Sequence, residues 1–163
     1  MTALAGVLRV DDDLAVGARA QWTALAGGRA GWRPTPAVTI GAEAWVAALD
    51  RAGDPSESVD ATLRGLGAFA TFRPWLGRGW GVDPAFDFGL EFLDAEDEED
   101  RGAAFVFGLG IERMVAGRGA VEVAARHHFL TVDEDEVDGV ATGRDAEMWE
   151  LRASASLLLG GAR

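Results

Sequence analysis

The sequence contains no cysteine, lysine, asparagine or tyrosine, only 2 histidines and 5 prolines, and no long apolar run. Without cysteine, neither disulfide nor thiolate chemistry is available. That absence is compatible with an oxidising compartment. Hydrophobic content is 48%. Yet nothing approaches the run of about 18 apolar residues that a membrane-spanning helix needs. All 15 basic residues are arginine, against 27 acidic ones, for a formal net charge of -12. Such a surface repels a phosphate backbone, so no nucleic-acid partner is expected. Missing tyrosine leaves the 6 tryptophans to form any interfacial aromatic belt alone. Met1-Thr-Ala-Leu4 has neither a basic start nor a long apolar core, so no cleavable signal peptide is expected there. Residues 1–163 are enough for one domain.

What the chain does contain is alternation. Phe86, Phe88, Leu90 and Phe92 fall on one face of an extended segment, with Asp87, Gly89 and Glu91 on the other. The acidic run Asp94 to Asp100 follows. Then Phe105, Phe107, Leu109 and Ile111 alternate with Val106, Gly108, Gly110 and Glu112. A period of two with large apolar residues on one side predicts paired strands joined by a loop. The second face is glycine with single charges. It suits a crowded polar interior, with phenylalanine turned outward into lipid.

The same pattern extends to both sides. Residues 3–10 predict a short first strand. Asp11-Asp12-Asp13 reads as a turn, and Leu14 to Trp32 as a long strand that Arg33-Pro34-Thr35-Pro36 stops. Val38 to Val46 forms a third strand, with Glu43 and Trp45 on its polar face. Residues 50–58 are a loop. Next, Val59, Ala61 and Leu63 face one way, and Asp60, Thr62 and Arg64 the other. A β-bulge is expected at Gly65-Leu66-Gly67. Arg113 to Gly119 is a tight turn. Val121 to Phe129 and Trp149 to Leu159 are the last strands, separated by an acidic loop over residues 133–146. The segments number about eight, each roughly 9–12 residues, near the length a tilted strand needs to cross a bilayer. Acidic connections alternate with Arg-, Pro- and Gly-bearing ones, so each end of the assembly has one chemistry. Both chain ends belong to the short-turn side, which would be periplasmic. The expected fold is all-β: an antiparallel up-and-down eight-stranded transmembrane β-barrel. An even strand count closes the sheet and removes its edges, as lipid requires.

Segments such as Ala37-Val-Thr-Ile-Gly-Ala-Glu43, Phe105-Val-Phe-Gly-Leu-Gly-Ile-Glu112 and Val121-Glu-Val-Ala-Ala-Arg126, with the alternating Trp149–Leu159 strand, carry a resemblance. The chain looks like the small eight-stranded outer-membrane barrels of Gram-negative bacteria, the OmpA-like and OmpX-like group. It departs from them in ending on Gly160-Gly161-Ala162-Arg163 rather than on an aromatic residue. The resemblance implies a monomer in the cell envelope, in contact with outer-membrane lipid and lipopolysaccharide.

The charges expected inside are Arg19, Glu43, Arg64, Asp87, Glu91, Glu112, Glu122, Arg126, Glu150 and Arg152. Buried charges must pair, which predicts an interior salt-bridge network. The functional alternative is a narrow ion path or gate. His127 and His128 are neighbours, so they face opposite sides of a strand and cannot share one site. Some outer-membrane lipid A deacylases carry a histidine near a serine at a strand end. Here Thr131 stands in place of such a serine, with no Ser-Asn following. Asp133 to Gly139 is not an EF-hand loop, since Val137 occupies the fifth position and Gly139 comes one residue late. These acidic runs read as solvated loops that could hold divalent cations weakly.

No phosphate loop, zinc spacing or nucleophile elbow is present. Neither a catalytic residue nor a cofactor site is therefore assigned. The leading expectation is a non-enzymatic barrel with a structural or surface-interaction role. A soluble lipocalin-like barrel would instead line an apolar ligand cavity with Phe86, Phe88, Phe105 and Phe107. It would also waste Gly17, Gly41, Gly89, Gly108 and Gly110 on a solvated face. A lipid-modifying outer-membrane enzyme rests on His127 and His128 alone.

Overall fold

The computed structural model describes residues 1–10, 21–50, 60–74, 82–95, 101–115, 119–133 and 143–157. Within them lie eight strands: β1 Thr2–Val10, β2 Gln21–Thr35, β3 Val38–Asp50, β4 Asp60–Phe72, β5 Asp83–Ala95, β6 Arg101–Val115, β7 Gly119–Asp133 and β8 Gly143–Leu157. Each pairs antiparallel with its sequence neighbours, and β8 closes on β1. Met1 and Leu157 exchange backbone hydrogen bonds of 2.9 and 2.8 Å, so the first and last strands meet at one end. No helix occurs among the described residues.

Alternation sorts the side chains as expected. Leu90 is 64% exposed and Phe92 72%, while Glu91 between them is 1% exposed. Phe88 and Phe105 point outward, and the rings of Phe88 and Phe107 pack 5.5 Å apart on the outer wall. A ligand cavity lined by these rings is thereby excluded, and with it the lipocalin-like arrangement. The outer wall continues through Leu109, Ile111, Val121, Val123 and Leu151, all exposed. A soluble monomer seldom shows apolar patches beyond a few hundred Å². A wall of this kind around a charged interior is the distribution that lipid imposes. Trp22, Trp32 and Trp149 stand outward on this wall; Trp45 points inward.

The interior is layered. Leu8, Leu25, Ala47, Leu63, Leu93, Ala104, Leu130 and Met148 come from the strand ends beside the acidic segments, and they close that end with an apolar plug. Charged side chains fill the middle and the opposite end. A purely polar interior, as the glycine-and-charge pattern suggested, is therefore half correct.

Four expectations need correction. Arg64 is exposed on the outer wall, and Leu63 is buried inside. No bulge occurs at Gly65-Leu66-Gly67, since β3 and β4 pair in one continuous register from Val38↔Phe72 to Asp50↔Asp60. Gly65 is needed for a close approach instead: a Cβ there would run into the buried Trp45 ring. Strand β2 also does not stop at Arg33. It runs to Thr35 with a register irregularity after Trp32, which accommodates Pro34, and turns at residues 36–37. Finally, β5 extends through Ala95 and β8 starts at Gly143, so the acidic connections are shorter than residues 94–100 and 133–146. Arg19, the turn at Asp11–Asp13 and most of the acidic runs lie outside the described residues.

Phe88 sits near the centre of β5. Phe88→Arg should destabilise the barrel in a bilayer by about 2–4 kcal/mol, the cost of a cation on the lipid face near the midplane. Reversible denaturant unfolding from lipid vesicles checks this; a loss near zero would place the ring away from lipid.

Candidate functional site

Inward positions on six different strands converge at mid-barrel. Arg126 of β7 is the hub. Its Nη2 donates to Glu43 at 2.6 Å and its Nη1 to Glu150 at 3.1 Å. Nη1 is also 3.3 Å from Glu91, and Nε 3.8 Å from Asp87. Arg29 of β2 pairs with Glu43 and lies 3.0 Å from Asp87. Arg152 of β8 pairs with Asp87 and lies 3.3 Å from Glu43. The middle of the barrel thus sets the carboxylates Glu43, Asp87, Glu91 and Glu150 against three guanidiniums.

Neutral side chains complete the arrangement. Thr71 donates to Asp87 at 2.5 Å, and the Trp45 indole to Glu91 at 3.1 Å. The Arg29 guanidinium lies 4.1 Å above the Phe69 ring, a cation–π contact. His128 stands between two carboxylates, with Nε2 3.0 Å from Glu150 and Nδ1 3.2 Å from Glu91. A second cluster lies toward the turn end. Glu112 accepts from Arg73 at 2.7 Å and from Arg33 at 3.4 Å. Both arginines also donate to Thr39, and Ser154 donates to Glu122 at 3.4 Å.

The expected interior network is present, with Glu43, Asp87, Glu91, Glu112, Glu122, Arg126, Glu150 and Arg152 all buried. Arg64 is not part of it. Arg29, Arg33 and Arg73 are part of it and were missed. Parity carried through Gly27-Gly28 finds Arg29; Arg33 and Arg73 each stand directly before a proline, a local signal for a strand end that hides both. Arg126 is 1% exposed and Arg152 2%. Side chains this enclosed suit a packed plug rather than a water-filled path.

The two histidines occupy opposite faces, as the strand geometry requires. His127 points outward and lies 3.1 Å from Glu147 of β8. It stacks on Trp149 with ring centroids 4.2 Å apart and meets the edge of Phe129 at 4.2 Å. A histidine held by a carboxylate could orient a proton acceptor, but covalent catalysis also needs a nucleophile within hydrogen-bond reach. On the same face of β7, His127 is flanked by Ala125 and Phe129, and its register partners are Phe107 and Trp149. None of the four carries a hydroxyl. The side chain of Thr131 lies outside the described residues. Among those described, no group of His, Asp or Glu residues has the arrangement of a metal site. The divalent-cation expectation for residues 133–139 falls largely outside them.

No family model matches the sequence, and no curated protein does. Solved structures do. The chain is similar to Neisserial surface protein A (NspA), with a TM-score of 0.62 and 14% identity over 97% of this chain and 95% of that one. It is also similar to the outer membrane enzyme PagL, with a TM-score of 0.54 and 12% identity over 98% of this chain and all of that one. At this identity the likeness is one of fold. The fold is that of the small eight-stranded outer-membrane barrels, as the sequence resemblance implied.

Arg126→Gln should cost about 3–5 kcal/mol, because it leaves buried carboxylates without their cation. Guanidinium unfolding followed by tryptophan fluorescence reads the loss. A change below about 1 kcal/mol would mean that the pairing is looser than its distances suggest.

Proposed function

We propose that this chain, with the fold of the small outer-membrane barrels, is a monomeric, non-enzymatic protein of the bacterial outer membrane. Its interior is structural, and it acts at the cell surface through its acidic connections. The observation that carries this reading is the inside-out distribution of side chains: an apolar wall surrounds charges that are paired and sealed from solvent. An interior occupied by its own ion pairs has little room for a passing solute. The partners that fit are the surrounding lipid and lipopolysaccharide. Divalent cations could bridge the acidic runs to anionic headgroups.

A second reading has one observation in its favour. The His127–Glu147 pair faces the lipid, and a barrel of similar fold is an enzyme. What weakens it is the surroundings of His127, where aromatic rings occupy the positions a nucleophile would need.

Refolded protein incubated with lipopolysaccharide and with simple esters should show no turnover above a buffer control. The variants His127→Ala, His128→Ala and Glu147→Gln should leave that result unchanged. Turnover that His127→Ala or Glu147→Gln abolishes would overturn the non-enzymatic reading and establish a lipid-modifying one.

A further inference from the structure

Arg9 lies one residue before the end of β1, at the acidic-connection end of the barrel, and is outward and exposed. It makes no hydrogen bond, ion pair or ring contact with any of the described residues. Its directly opposed neighbours are Trp22 on β2 and Trp149 on β8. Both indoles stand outward, 60% and 50% exposed. Trp149 is held in place by its stacking on His127. Neither indole N–H donates to a described residue. Neighbouring strands lie about 4.7–4.9 Å apart, so a guanidinium and two indoles share one row roughly 10 Å wide.

Two features set the depth of this row. Tryptophan collects where the bilayer core meets the headgroups. An outward charge is tolerated at that level and not at the midplane. Below the row the wall is apolar, with Val7 opposed by Ala24 and Leu151. The chain as a whole carries a net charge of -12 and repels anions, so a site for one must be local. Glu147, two residues from Trp149 on β8, is taken up by His127 at 3.1 Å. Arg9 is left with its donors directed to neither carboxylate nor ring among the described residues. A guanidinium forks onto phosphate oxygens. Indole N–H groups donate to the same acceptors, and indole faces pack against the C–H faces of sugars. Lipid A, the membrane part of lipopolysaccharide, presents these features together: phosphates on a pair of glucosamines, with acyl chains beneath. A glycerophospholipid such as phosphatidylethanolamine offers a phosphate without the sugar.

We infer that Trp22, Arg9 and Trp149 form a binding site for the phosphorylated sugar headgroup of lipid A. Arg9 takes a phosphate. The two indoles flank the glucosamine that carries it, and an acyl chain descends over Val7 and Leu151. The site rests on the outer-membrane reading and adds to it the place where lipopolysaccharide is held.

The test uses the full chain in nanodiscs containing lipid A with both phosphates, the same lipid after phosphatase treatment, and phosphatidylethanolamine. Release into the gas phase and mass analysis then identify the lipid that stays bound. Phosphorylated lipid A should be retained several-fold over the other two. Arg9→Gln should erase the preference for the phosphorylated form. Arg113→Gln removes an exposed outward arginine at the opposite end and should leave the preference intact. Trp22→Leu combined with Trp149→Leu should lower retention of both forms of lipid A. A heat-dependent shift in gel migration confirms that each variant is folded. Four results would each overturn the site while leaving the barrel intact. They are equal retention of the two forms of lipid A by the natural chain, an unchanged preference in folded Arg9→Gln, the same loss in Arg113→Gln, and unchanged retention in the folded double tryptophan variant. A chain that inserts into none of the bilayers would overturn the membrane reading and this site together.

Discussion

Arg126 cannot be satisfied by its own strand. Its partners come from β3, β5 and β8, and those partners are held in turn by Arg29 and Arg152. Only a closed barrel brings them together. The cluster need not add much net stability, since burying ions costs nearly as much as their attraction returns. Its effect is on register. Side chains alternate with a period of two, so a slip of one residue would move a whole strand's charges into lipid and its aromatic residues inward. In this chain such a slip on β7 would expose Arg126 and bury Phe129. The ion network and the apolar wall therefore specify one register from both sides.

The layering of the interior follows from the same requirement. Charges collect where several strands can offer partners of both signs. Toward the acidic end the inward positions are instead Leu25, Leu63, Leu93, Leu130 and Met148. Trp45 joins the two layers, with its ring among the apolar side chains and its indole N–H on Glu91. A tryptophan buried in this way needs a partner for its N–H. Glu91 supplies it, and Gly65 supplies the space for the ring.

Much of this was legible in the sequence where alternation is unambiguous. From Phe86 to Glu91, Phe105 to Glu112, Val121 to His128 and Trp149 to Arg152, the large apolar residues and the charges keep to opposite parities, with Val106 and His127 as the exceptions, and the expected faces match the structure. The reading failed at β4 because both parities there are mixed. Leu63 and Arg64 are adjacent, and flanking glycines admit either assignment. The inward parity is recovered from Phe69, Thr71 and Arg73, which lie beyond the presumed bulge. Arg33 was obscured by proline, a local signal for a stop that the bulge of β2 overrides. The double carboxylate contact of His128 was beyond reach for another reason. Glu91 and Glu150 lie on β5 and β8, and nothing in the order of residues says that both flank β7 at that height.

The pair His127-His128 shows how far a barrel wall separates chemistry. Two adjacent imidazoles have the same covalent structure, yet one joins an ion cluster and the other an aromatic belt. Each has carboxylate company, so the presence of a His–carboxylate pair cannot by itself indicate catalysis. What differs is access. His128 is fully enclosed, and no lipid headgroup could reach it without opening the barrel. His127 faces the lipid, but Trp149 covers its face and Phe129 crowds its edge. Reactivity at this wall would need a nucleophile beside His127. Among the described residues beside His127, the alternation that makes the barrel places ring systems and alanine, so the pattern that gives the strand its lipid face fills these positions with side chains that carry no nucleophile.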